Sequence, residues 1–349
     1  MSIIWSNKLN LRVLITGGAG FIGGALIRRL LSTTSATIFN LDKIGYASDL
    51  TGINRYLKSN NIKNRYYLIK EDLYNRNKLD ELIPTIDPDI VFHLAAESHV
   101  DKSISGPDIF LKSNVLGTFH LLEALRSHWE KLSIQRKDNF RFHHVSTDEV
   151  YGSLNATNQF NEQSKYAPRS PYSASKASSD HLVMAWFHTY GFPGLISNCS
   201  NNYGPWQFPE KLIPLAISKA IDDKPIPMYG DGLQIRDWLY VDDHINALLL
   251  ACSKGVIGES YCIGGFGEKT NKYVLSRICT IMDELRPMNK SYLNLITSVK
   301  DRLGHDRRYA INSSKIQHDL GWKPSVEFDE GLRNTVKWYL QNSDWLCRK

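Results

Sequence analysis

A glycine-rich segment near the N-terminus constrains the fold of this chain more than any other feature. Residues 17–23 (GGAGFIG) follow a short β-rich run at residues 11–16 (LRVLIT) and precede an apolar helical pattern over residues 25–31. A strand, a glycine turn and a helix in this order form the phosphate-binding unit of parallel α/β sheets, in which N–H groups at the helix N-terminus face a pyrophosphate. The segment therefore predicts a dinucleotide-binding sheet.

The three spaced glycines have separate tasks in such a turn. Gly17 permits the tight turn, Gly20 lets a pyrophosphate approach the backbone, and Gly23 lets the helix pack closely on the strand. The spacing G-x-x-G-x-x-G is a variant of the commoner G-x-G-x-x-G. Asp42 ends the next β-rich run, at residues 37–41. Because a carboxylate there accepts hydrogen bonds from a ribose diol and disfavours a 2′-phosphate, we expect NAD rather than NADP.

Strand and helix patterns alternate through the first part of the chain. Further β-rich runs lie at residues 66–69, 90–94 and 142–146, and helical patterns lie notably at residues 110–129 and 172–190. This alternation predicts an α/β fold with a doubly wound, Rossmann-type parallel sheet. After about residue 201 it weakens, and Pro, Gly and aromatic residues become frequent. We expect an NAD-binding domain over residues 1–200, to which later segments return, and a smaller mixed substrate lobe over residues 201–349.

The composition argues against several kinds of partner. The 349 residues carry a formal net charge of +6, without the runs of Lys and Arg that bind nucleic acid. No signal-peptide pattern and no apolar run of membrane-spanning length occurs. The scattered cysteines form no CxxC pair, which favours free thiols in a reducing compartment over a metal site. They are Cys199, Cys252, Cys262, Cys279 and Cys347. We expect a cytoplasmic protein with no metal, nucleic-acid or membrane partner.

Tyr172 and Lys176 open the helical pattern at residues 172–190 and are four residues apart, so both face the same side of the helix. An ammonium near a phenol favours the phenolate, and we expect Lys176 to lower the pKa of Tyr172 towards working pH. Such a phenolate can remove a proton from an alcohol while hydride leaves the same carbon. Lys176 can also hold the nicotinamide ribose.

Two adjacent carboxylates lie in the segment STDEVYG (residues 146–152), at the end of a predicted buried strand. Asp148 and Glu149 fit a surface turn, and they also fit a pair of proton-transfer groups. The segment alone does not separate these interpretations. In a parallel sheet, however, ligands bind at the carboxyl ends of the strands, which is where this pair lies.

Longer motifs connect these features. They are NLDKIGYA (40–47), LAAESHVDKSI (94–104), SNVLGT (113–118), VSTDEVYG (145–152), PYSASKASSD (171–180), NCSNNYGPWQFPEKLIP (198–214), GDGLQIRDWLYVDDH (230–244) and DRLGHDRRYAI (301–311). On these motifs the chain resembles the extended short-chain dehydrogenase/reductase family, and within it the dTDP-glucose 4,6-dehydratases, from about residue 12 to residue 322. The resemblance implies bound NAD, a nucleotide-sugar substrate and a homodimer.

The resemblance also implies binding roles for individual residues. Those that would line the NAD site, with the glycine loop, are Phe21, Ile22, Asp42, Lys43, Tyr46, Ala47, Asp72, Leu73, Leu94, Ala95, Ala96, Ser98, Ser113, Tyr172, Lys176 and Asn202. Those that would contact the sugar nucleotide are Ser98, Thr147, Asn201, Lys211, Leu212, Pro227, Tyr229, Arg236, Asn271, Asp301, Arg302, His305, Asp306 and Tyr309. The guanidinium of Arg236 suits a diphosphate, although an ion pair with the neighbouring Asp237 is an alternative.

The catalytic roles that the resemblance implies centre on the STDEVYG segment. Glu149 would be the base at carbon 5 of the sugar, and Asp148 the acid that protonates the hydroxyl leaving carbon 6. Thr147 would hydrogen-bond the 4-oxygen. Asp148 must then hold a proton, and both burial and a neighbouring carboxylate raise a carboxyl pKa in that direction. The expected reaction is oxidation at carbon 4, loss of water across carbons 5 and 6, and return of hydride to carbon 6.

Two departures from the family pattern and four alternative functions accompany this interpretation. Leu303 stands where members of the family usually carry Pro, and this replacement is expected to loosen a nucleotide-binding loop. Gly45 stands where Thr is common in the family. A 4-epimerase or another nucleotide-sugar dehydratase would share the cofactor loop, but an epimerase needs no acid–base pair at carbons 5 and 6. A decarboxylase of a nucleotide-linked glucuronate would need a cation near carbon 5. A non-catalytic NAD-binding protein would be expected to have lost Thr147, Tyr172 or Lys176.

Overall fold

The central element is a seven-stranded parallel sheet. The computed structural model describes residues 10–155, 157–301 and 305–347. Its strands in chain order are β1 (Arg12–Thr16), β2 (Thr37–Asp42), β3 (Tyr66–Lys70), β4 (Ile90–His93), β5 (Arg141–Thr147), β6 (Gly194–Cys199), β7 (Asn201–Tyr203), β8 (Ile226–Tyr229), β9 (Ile235–Arg236), β10 (Trp238–Tyr240), β11 (Ser260–Ile263), β12 (Lys269–Thr270) and β13 (Ile296–Val299). The central sheet has the order β11-β6-β5-β4-β1-β2-β3, which confirms the predicted doubly wound parallel sheet.

Helices cover both faces of the sheet and build the rest of the molecule. They are α1 (Phe21–Thr33), α2 (Thr51–Ser59), α3 (Arg76–Ile86), α4 (Val100–Ser105), α5 (Asp108–Phe110), α6 (Gly117–Trp129), α7 (Ile134–Asn139), α8 (Pro171–Tyr190), α9 (Leu212–Ile221), α10 (Val241–Lys254), α11 (Asn271–Leu285), α12 (Ser314–Leu320), α13 (Phe328–Gln341) and α14 (Ser343–Cys347). Short 3-10 helices span Asp148–Tyr151 and Tyr292–Leu295. No helix among these described residues is long and apolar enough to cross a membrane.

The strand order places a topological switch point between β1 and β4. From β1 the chain adds β2 and β3 on one side, and from β4 it adds β5, β6 and β11 on the other. Every residue of β4 and β6 is buried, as expected for strands covered on both faces. The crevice outside the carboxyl ends of β1 and β4 is where ligands bind in such sheets.

One predicted helix is interrupted. Residues 110–129 were expected to form a single helix, but a π-helical turn at Leu111–Leu116 separates α5 from α6. The side chain of Asn114, inside this turn, pairs with the backbone N–H and C=O of Glu97 at 2.8 and 3.0 Å. π turns often occur at functional sites, and this one anchors the segment after β4 at the edge of the crevice.

The chain after residue 201 contributes to two cores. One apolar cluster joins Tyr203, α9, α11 and α13, and small strand pairs flank it: β7 with β10, β8 with β13, and β9 with β12. Helix α10 and strand β11, in contrast, pack with the central sheet. The division at residue 200 stays a prediction.

Candidate active site

A cleft at the switch point gathers the residues predicted for the cofactor. It is lined by the three spaced glycines of the loop and by Phe21, Ile22, Asp42, Lys43, Tyr46, Ala47, Asp72, Leu73, Leu94, Ala95, Ala96, Ser98, Ser113, Tyr172, Lys176 and Asn202. Thr147, Asp148, Glu149, Asn201 and Lys211 line the same cleft. The residues proposed for redox chemistry and for acid–base chemistry therefore share one space.

The glycine loop forms a cradle that side chains would fill. Gly17 has φ +72°, and a Cβ there would lie 2.6 Å from the backbone of Ala95. A Cβ on Gly23 would lie 2.4 Å from the carbonyl oxygen of Gly17. Helix α1 begins after Gly20 with no side-chain cap and no acidic residue in its first turn. Its N-terminal N–H groups and positive dipole end therefore suit a pyrophosphate, so the residues present fit NAD.

Asp42 joins the two loops that flank the crevice. Its Oδ2 accepts a hydrogen bond from Ala19 N at 2.9 Å, and its Oδ1 accepts from Ile44 N at 2.8 Å and from Ser48 Oγ at 3.1 Å. A carboxylate offers about four acceptor sites, and these contacts use three of them. Recognition of a ribose diol by Asp42 stays a prediction, and the residue also has a structural task that its position in the sequence did not indicate.

The carboxyl of Asp148 lies at the end of β5, at the start of the 3-10 turn. Thr147 Oγ1 accepts from Glu149 N at 3.3 Å and lies 3.3 Å from Asp148 Oδ1, to which it donates. Asp148 Oδ2 is buried and has no hydrogen-bond partner among the described residues. Burial first, then the charges of Glu149 and Asp237, raise the pKa of Asp148 well above its ordinary value. A carboxyl with a raised pKa keeps its proton more readily, so Asp148 is suited to donate a proton into the cleft.

Tyr172 differs from the expectation based on its spacing from Lys176. The phenol is buried and packs edge-on against Phe110 with ring centroids 6.4 Å apart. Burial, followed by the charge of Glu149, raises the pKa of Tyr172 well above its ordinary value, and a hydrogen bond with Thr147 opposes the rise. The predicted lowering of this pKa was wrong, because helical spacing carries no information about burial.

The ammonium of Lys176 is also buried, with its own hydrogen-bond partners. Its Nζ donates to Val145 O at 3.0 Å and lies 3.3 Å from His144 Nε2. His144 Nε2 in turn lies 3.1 Å from Asp180 Oδ1. The sequence reasoning missed His144 and Asp180. The available signals were the position of Asp180, one turn after Lys176, and the pair of histidines that precedes STDEVYG.

The other predicted substrate residues lie after residue 211 in the chain, and those that the structure describes are outside the lining of the cleft. Leu212 begins α9, Asn271 begins α11, Arg236 is in β9, Pro227 and Tyr229 are in β8, and Asp301, His305, Asp306 and Tyr309 follow β13. Arg302 and Leu303 lie outside the described residues. A Cβ on Gly45 would meet only Lys43 Cε, at 3.8 Å, so the backbone at this departure leaves room for a larger side chain.

Arg236 connects these predicted substrate residues with the carboxyl of Asp148. Its guanidinium donates to Asp306 O at 3.0 Å and stacks on the ring of Tyr309 at 4.4 Å. Its positive charge partly opposes the rise in the pKa of Asp148, which places it within electrostatic reach of the cleft. The carboxylate of Asp237 accepts from the N–H groups of Gly265 and Gly267 at 3.0 and 2.8 Å.

Polar contacts that the sequence did not indicate connect the walls of the cleft. Lys43 Nζ and Glu97 Oε1 lie 2.6 Å apart. Tyr46 OH donates to Glu210 Oε1 at 3.2 Å. His244 Nδ1 lies 2.8 Å from Asn202 Oδ1 and fixes that amide. These partners come from segments with no shared spacing, so no sequence pattern relates them.

Comparison with known proteins gives the family. The model of the family described as GDP-mannose 4,6 dehydratase matches residues 14–335. A dTDP-glucose 4,6-dehydratase of Neisseria meningitidis is 51% identical over 339 residues, which cover 96% of this chain and 94% of the relative. The chain belongs to the dTDP-glucose 4,6-dehydratase family.

Solved structures agree with this membership in the dTDP-glucose 4,6-dehydratase family. A dTDP-glucose 4,6-dehydratase from Bacillus anthracis in complex with NAD matches with a TM-score of 0.83 and 39% identity, over 96% of this chain and 98% of that one. DesIV from Streptomyces venezuelae, a dTDP-glucose 4,6-dehydratase crystallised with NAD, matches with a TM-score of 0.85 and 38% identity over the same shares. The likeness thus extends over nearly the whole chain.

Proposed function

We propose that this protein is an NAD-dependent dTDP-glucose 4,6-dehydratase that converts dTDP-glucose to dTDP-4-keto-6-deoxyglucose and water. One observation carries the proposal: Asp148, buried and with a raised pKa, and the adjacent Glu149 line the same cleft as Tyr172 and Lys176. A single cleft can then house an alcohol oxidation and an elimination. The identity of 51% to the Neisseria enzyme supports thymidine as the base.

The first chemical event is removal of the proton from the hydroxyl on carbon 4. NAD, when bound in this cleft, supplies a positively charged ring that accepts a hydride and later returns it. Tyr172 must first lose its own proton, and its phenolate then takes the hydroxyl proton; the hydrogen bond with Thr147 favours that phenolate. Lys176 holds a positive charge one helical turn away on the same face of α8. Oxidation acidifies the hydrogen on carbon 5.

The second event is the elimination of water. Glu149 removes the carbon 5 proton, and Asp148 donates its proton to the hydroxyl that leaves carbon 6. The two roles require opposite protonation states, and the burial of Asp148 supplies the difference. The Oδ2 atom of Asp148, which has no partner among the described residues, is the atom we assign to the leaving hydroxyl.

Other activities of the same family fit the cleft less well. A 4-epimerase uses the redox residues but has no task for an acid at carbon 6. A decarboxylase would bring a carboxylate next to Glu149, which repels it. A non-catalytic NAD-binding protein gives no reason to keep a costly protonated Asp148 beside Tyr172 and Lys176.

We propose that the C-terminal lobe binds the sugar nucleotide. Arg236 offers a planar guanidinium suited to a diphosphate, and Tyr309 packs beneath it at 4.4 Å. Asn271, Tyr229 and the segment after β13 complete this proposed subsite. The division of labour between residues 1–200 and 201–349 is part of the same proposal.

The decisive experiment is incubation of the protein with a panel of nucleotide glucoses. We expect the alkali-induced absorbance of a 4-keto-6-deoxy sugar to appear with dTDP-glucose, and to be much weaker with UDP-glucose and GDP-glucose. Conversion of a UDP-sugar to its 4-epimer, with no keto sugar, would replace this proposal with the epimerase.

We propose two further properties of the protein in the cell. The first is a homodimer formed through α5, the π turn and α8, where Ile109, Leu111, Leu116 and Tyr190 are exposed. Sedimentation should give twice the mass of 39.8 kDa, and charged residues at Leu111 and Leu116 should give monomers.

The second property is residence in a reducing cytoplasm, supported by four buried free cysteines among the described residues and tested by cell fractionation.

A further inference from the structure

Asp180 is a buried carboxylate on the inner face of α8, and only 1% of its surface is exposed. Its Oδ2 accepts hydrogen bonds from Ser146 Oγ at 2.8 Å, from Tyr166 OH at 2.9 Å and from Asn198 Nδ2 at 3.3 Å. Burial raises the pKa of Asp180, and the charge of Lys176 and these three donors oppose the rise. Several donors on one carboxyl oxygen beside a cation favour the ionised form of Asp180 over the protonated one.

Lys176 lies one helical turn before Asp180 and is only 3% exposed. His144 Nε2 lies between the two charges, 3.3 Å from Lys176 Nζ and 3.1 Å from Asp180 Oδ1. The other ring nitrogen of His144 is buried without a partner among the described residues. The three groups thus form a compact row: the ammonium of Lys176 in the cleft lining, then the Nε2 atom of His144, then the carboxyl of Asp180.

Other titratable groups near Lys176 lie on three strands of the sheet and on α8 itself. They are His93 on β4, His144 on β5, Cys199 on β6 and Tyr172 on α8. Burial lowers the pKa values of both histidines well below the ordinary value and raises the pKa of Cys199 to about 12. Tyr172 is protonated as well. All four are therefore neutral at neutral pH, and among these described neighbours the opposing charge comes from Asp180.

We propose that Asp180 is the counterion of Lys176 and a positioning residue for the redox step. Burial removes the water that stabilises an ammonium. A buried ammonium without a partner therefore tends to lose its proton and become neutral. Asp180 keeps Lys176 charged, and His144 fixes the separation of the two groups. Lys176 is then held as a cation whose charge favours the phenolate of Tyr172. This inference rests on the proposed function for the role of Lys176 in catalysis, but not for the pairing itself.

A purely structural role for Asp180 predicts something different. Its bonds to Tyr166 and Asn198 tie the loop before α8 and strand β6 to the helix. If this anchoring were its only task, an uncharged isostere that still accepts hydrogen bonds would preserve the ionisation of Lys176. Asp180→Asn separates the two roles because the amide oxygen can accept from Ser146 and Tyr166 while the charge is lost.

The direct test measures the ionisation of Lys176 without turnover. The NAD-loaded enzyme is labelled with ¹³Cε-lysine, the Lys176 resonance is assigned from Lys176→Met, and its chemical shift is followed with pH by NMR. In Asp180→Asn we expect the titration midpoint to fall by at least about one pH unit, because an opposite charge at this range changes a pKa by about 1–3. Tyr166→Phe removes one hydrogen bond but no charge, and should leave the midpoint near that of the wild type.

Kinetics supply the second readout. The alkaline limb of the kcat profile with dTDP-glucose should move to lower pH in Asp180→Asn, with KM little changed. At the alkaline end, kcat should fall about tenfold for each pH unit by which the limb moves. An unchanged Lys176 midpoint in a folded Asp180→Asn would overturn the pairing, as would a midpoint that falls in His144→Gln but not in Asp180→Asn.

Two further outcomes are informative. If Asp180→Asn does not fold, the wild type alone decides the question: a Lys176 midpoint near the value of about 5–6 seen for buried lysines without a counterion would contradict the proposal. If the Lys176 midpoint falls as expected in Asp180→Asn but the wild-type protein makes no keto sugar from dTDP-glucose, the proposed function is contradicted and the pairing remains intact.

Discussion

Asp148 and Glu149 are adjacent in the chain but differ in burial: Asp148 is 2% exposed, whereas Glu149 is only partly buried. A 3-10 turn begins at Asp148, and Thr147 Oγ1 caps it by accepting from Glu149 N. Burial raises the pKa of Asp148 well above its ordinary value, and the charge of Glu149 adds to the effect. Two chemically similar residues thus differ in their affinity for a proton because of their surroundings, as the opposite roles proposed for them require.

Asp148→Asn and Glu149→Gln should both stop the reaction after oxidation, but at different proton transfers. With dTDP-glucose, both variants should build up the absorbance of reduced nicotinamide without forming product. In deuterated water, Asp148→Asn should still exchange the carbon 5 hydrogen because its base is intact, whereas Glu149→Gln should not. Normal water loss by Asp148→Asn would show that another group is the acid, and exchange by Glu149→Gln would show that another group is the base.

Asp148 should also make the protein less stable at neutral pH. A carboxyl whose folded pKa is raised costs nothing below its unfolded pKa of about 3.8 and costs more as the pH rises towards its folded pKa, because the folded state then keeps a proton that the unfolded state releases. Asp148→Asn should therefore raise the free energy of unfolding by about 1 kcal/mol near pH 7. Urea denaturation should show the gain vanishing towards pH 4, and a gain independent of pH would have a different cause.

Local signals were sufficient for the sheet and for the cofactor loop. The glycine loop, the alternation of strands and helices, and Asp148 and Glu149 at the end of β5 all lie in contiguous segments, where spacing determines geometry. The helical pattern at residues 172–190 likewise corresponds to α8, which begins at Pro171. These parts were predicted because the physics that forms them acts over a few residues.

Contacts between distant segments could not be predicted in this way. The ion pair of Lys43 with Glu97 and the row of Lys176, His144 and Asp180 join residues whose sequence separations carry no pattern. The pKa of Tyr172 was predicted in the wrong direction for a related reason. Spacing along α8 places an ammonium nearby, but the depth of burial and the charge of Glu149 depend on the assembled sheet.

Tyr172→Phe should remove the base for the first step while preserving the packing of the ring on Phe110. Formation of reduced nicotinamide from dTDP-glucose should slow by about 10²–10⁴-fold, the usual contribution of a general base. Stopped-flow absorbance gives the rate. Tyr190→Phe, on the same helix but with an exposed side chain, is the matched control and should oxidise substrate at the wild-type rate. An undiminished rate in Tyr172→Phe would remove this residue from the mechanism.

The buried histidines should make the protein sensitive to acid. Burial lowers the pKa values of His143 and His244 to about 3, below the ordinary value of 6.5. Between about pH 6.5 and pH 3, the unfolded chain therefore binds protons at these histidines that the folded protein does not bind. The stability is full above about pH 6.5. As the pH drops towards 3, the free energy of unfolding falls by about 1.4 kcal/mol per pH unit for each histidine. His143→Gln should flatten this slope in urea denaturation series. His318→Gln, at an exposed site, should leave it unchanged.

Gly23 and Gly24 are neighbours in α1 with opposite tolerance for a side chain. A Cβ on Gly23 would lie 2.4 Å from Gly17 O and 2.7 Å from Gly18 Cα, both backbone atoms of the loop, whereas a Cβ on Gly24 would meet the flexible Arg28 Nη1 at 3.3 Å. Gly23→Ala should displace the glycine loop and weaken NAD binding at least tenfold, as measured by calorimetry on protein from which NAD has been removed. Gly24→Ala should keep NAD affinity within about twofold and gain up to about 1 kcal/mol of helix stability. Equal NAD affinities in the two variants would show that the close packing of Gly23 does not shape the cofactor site.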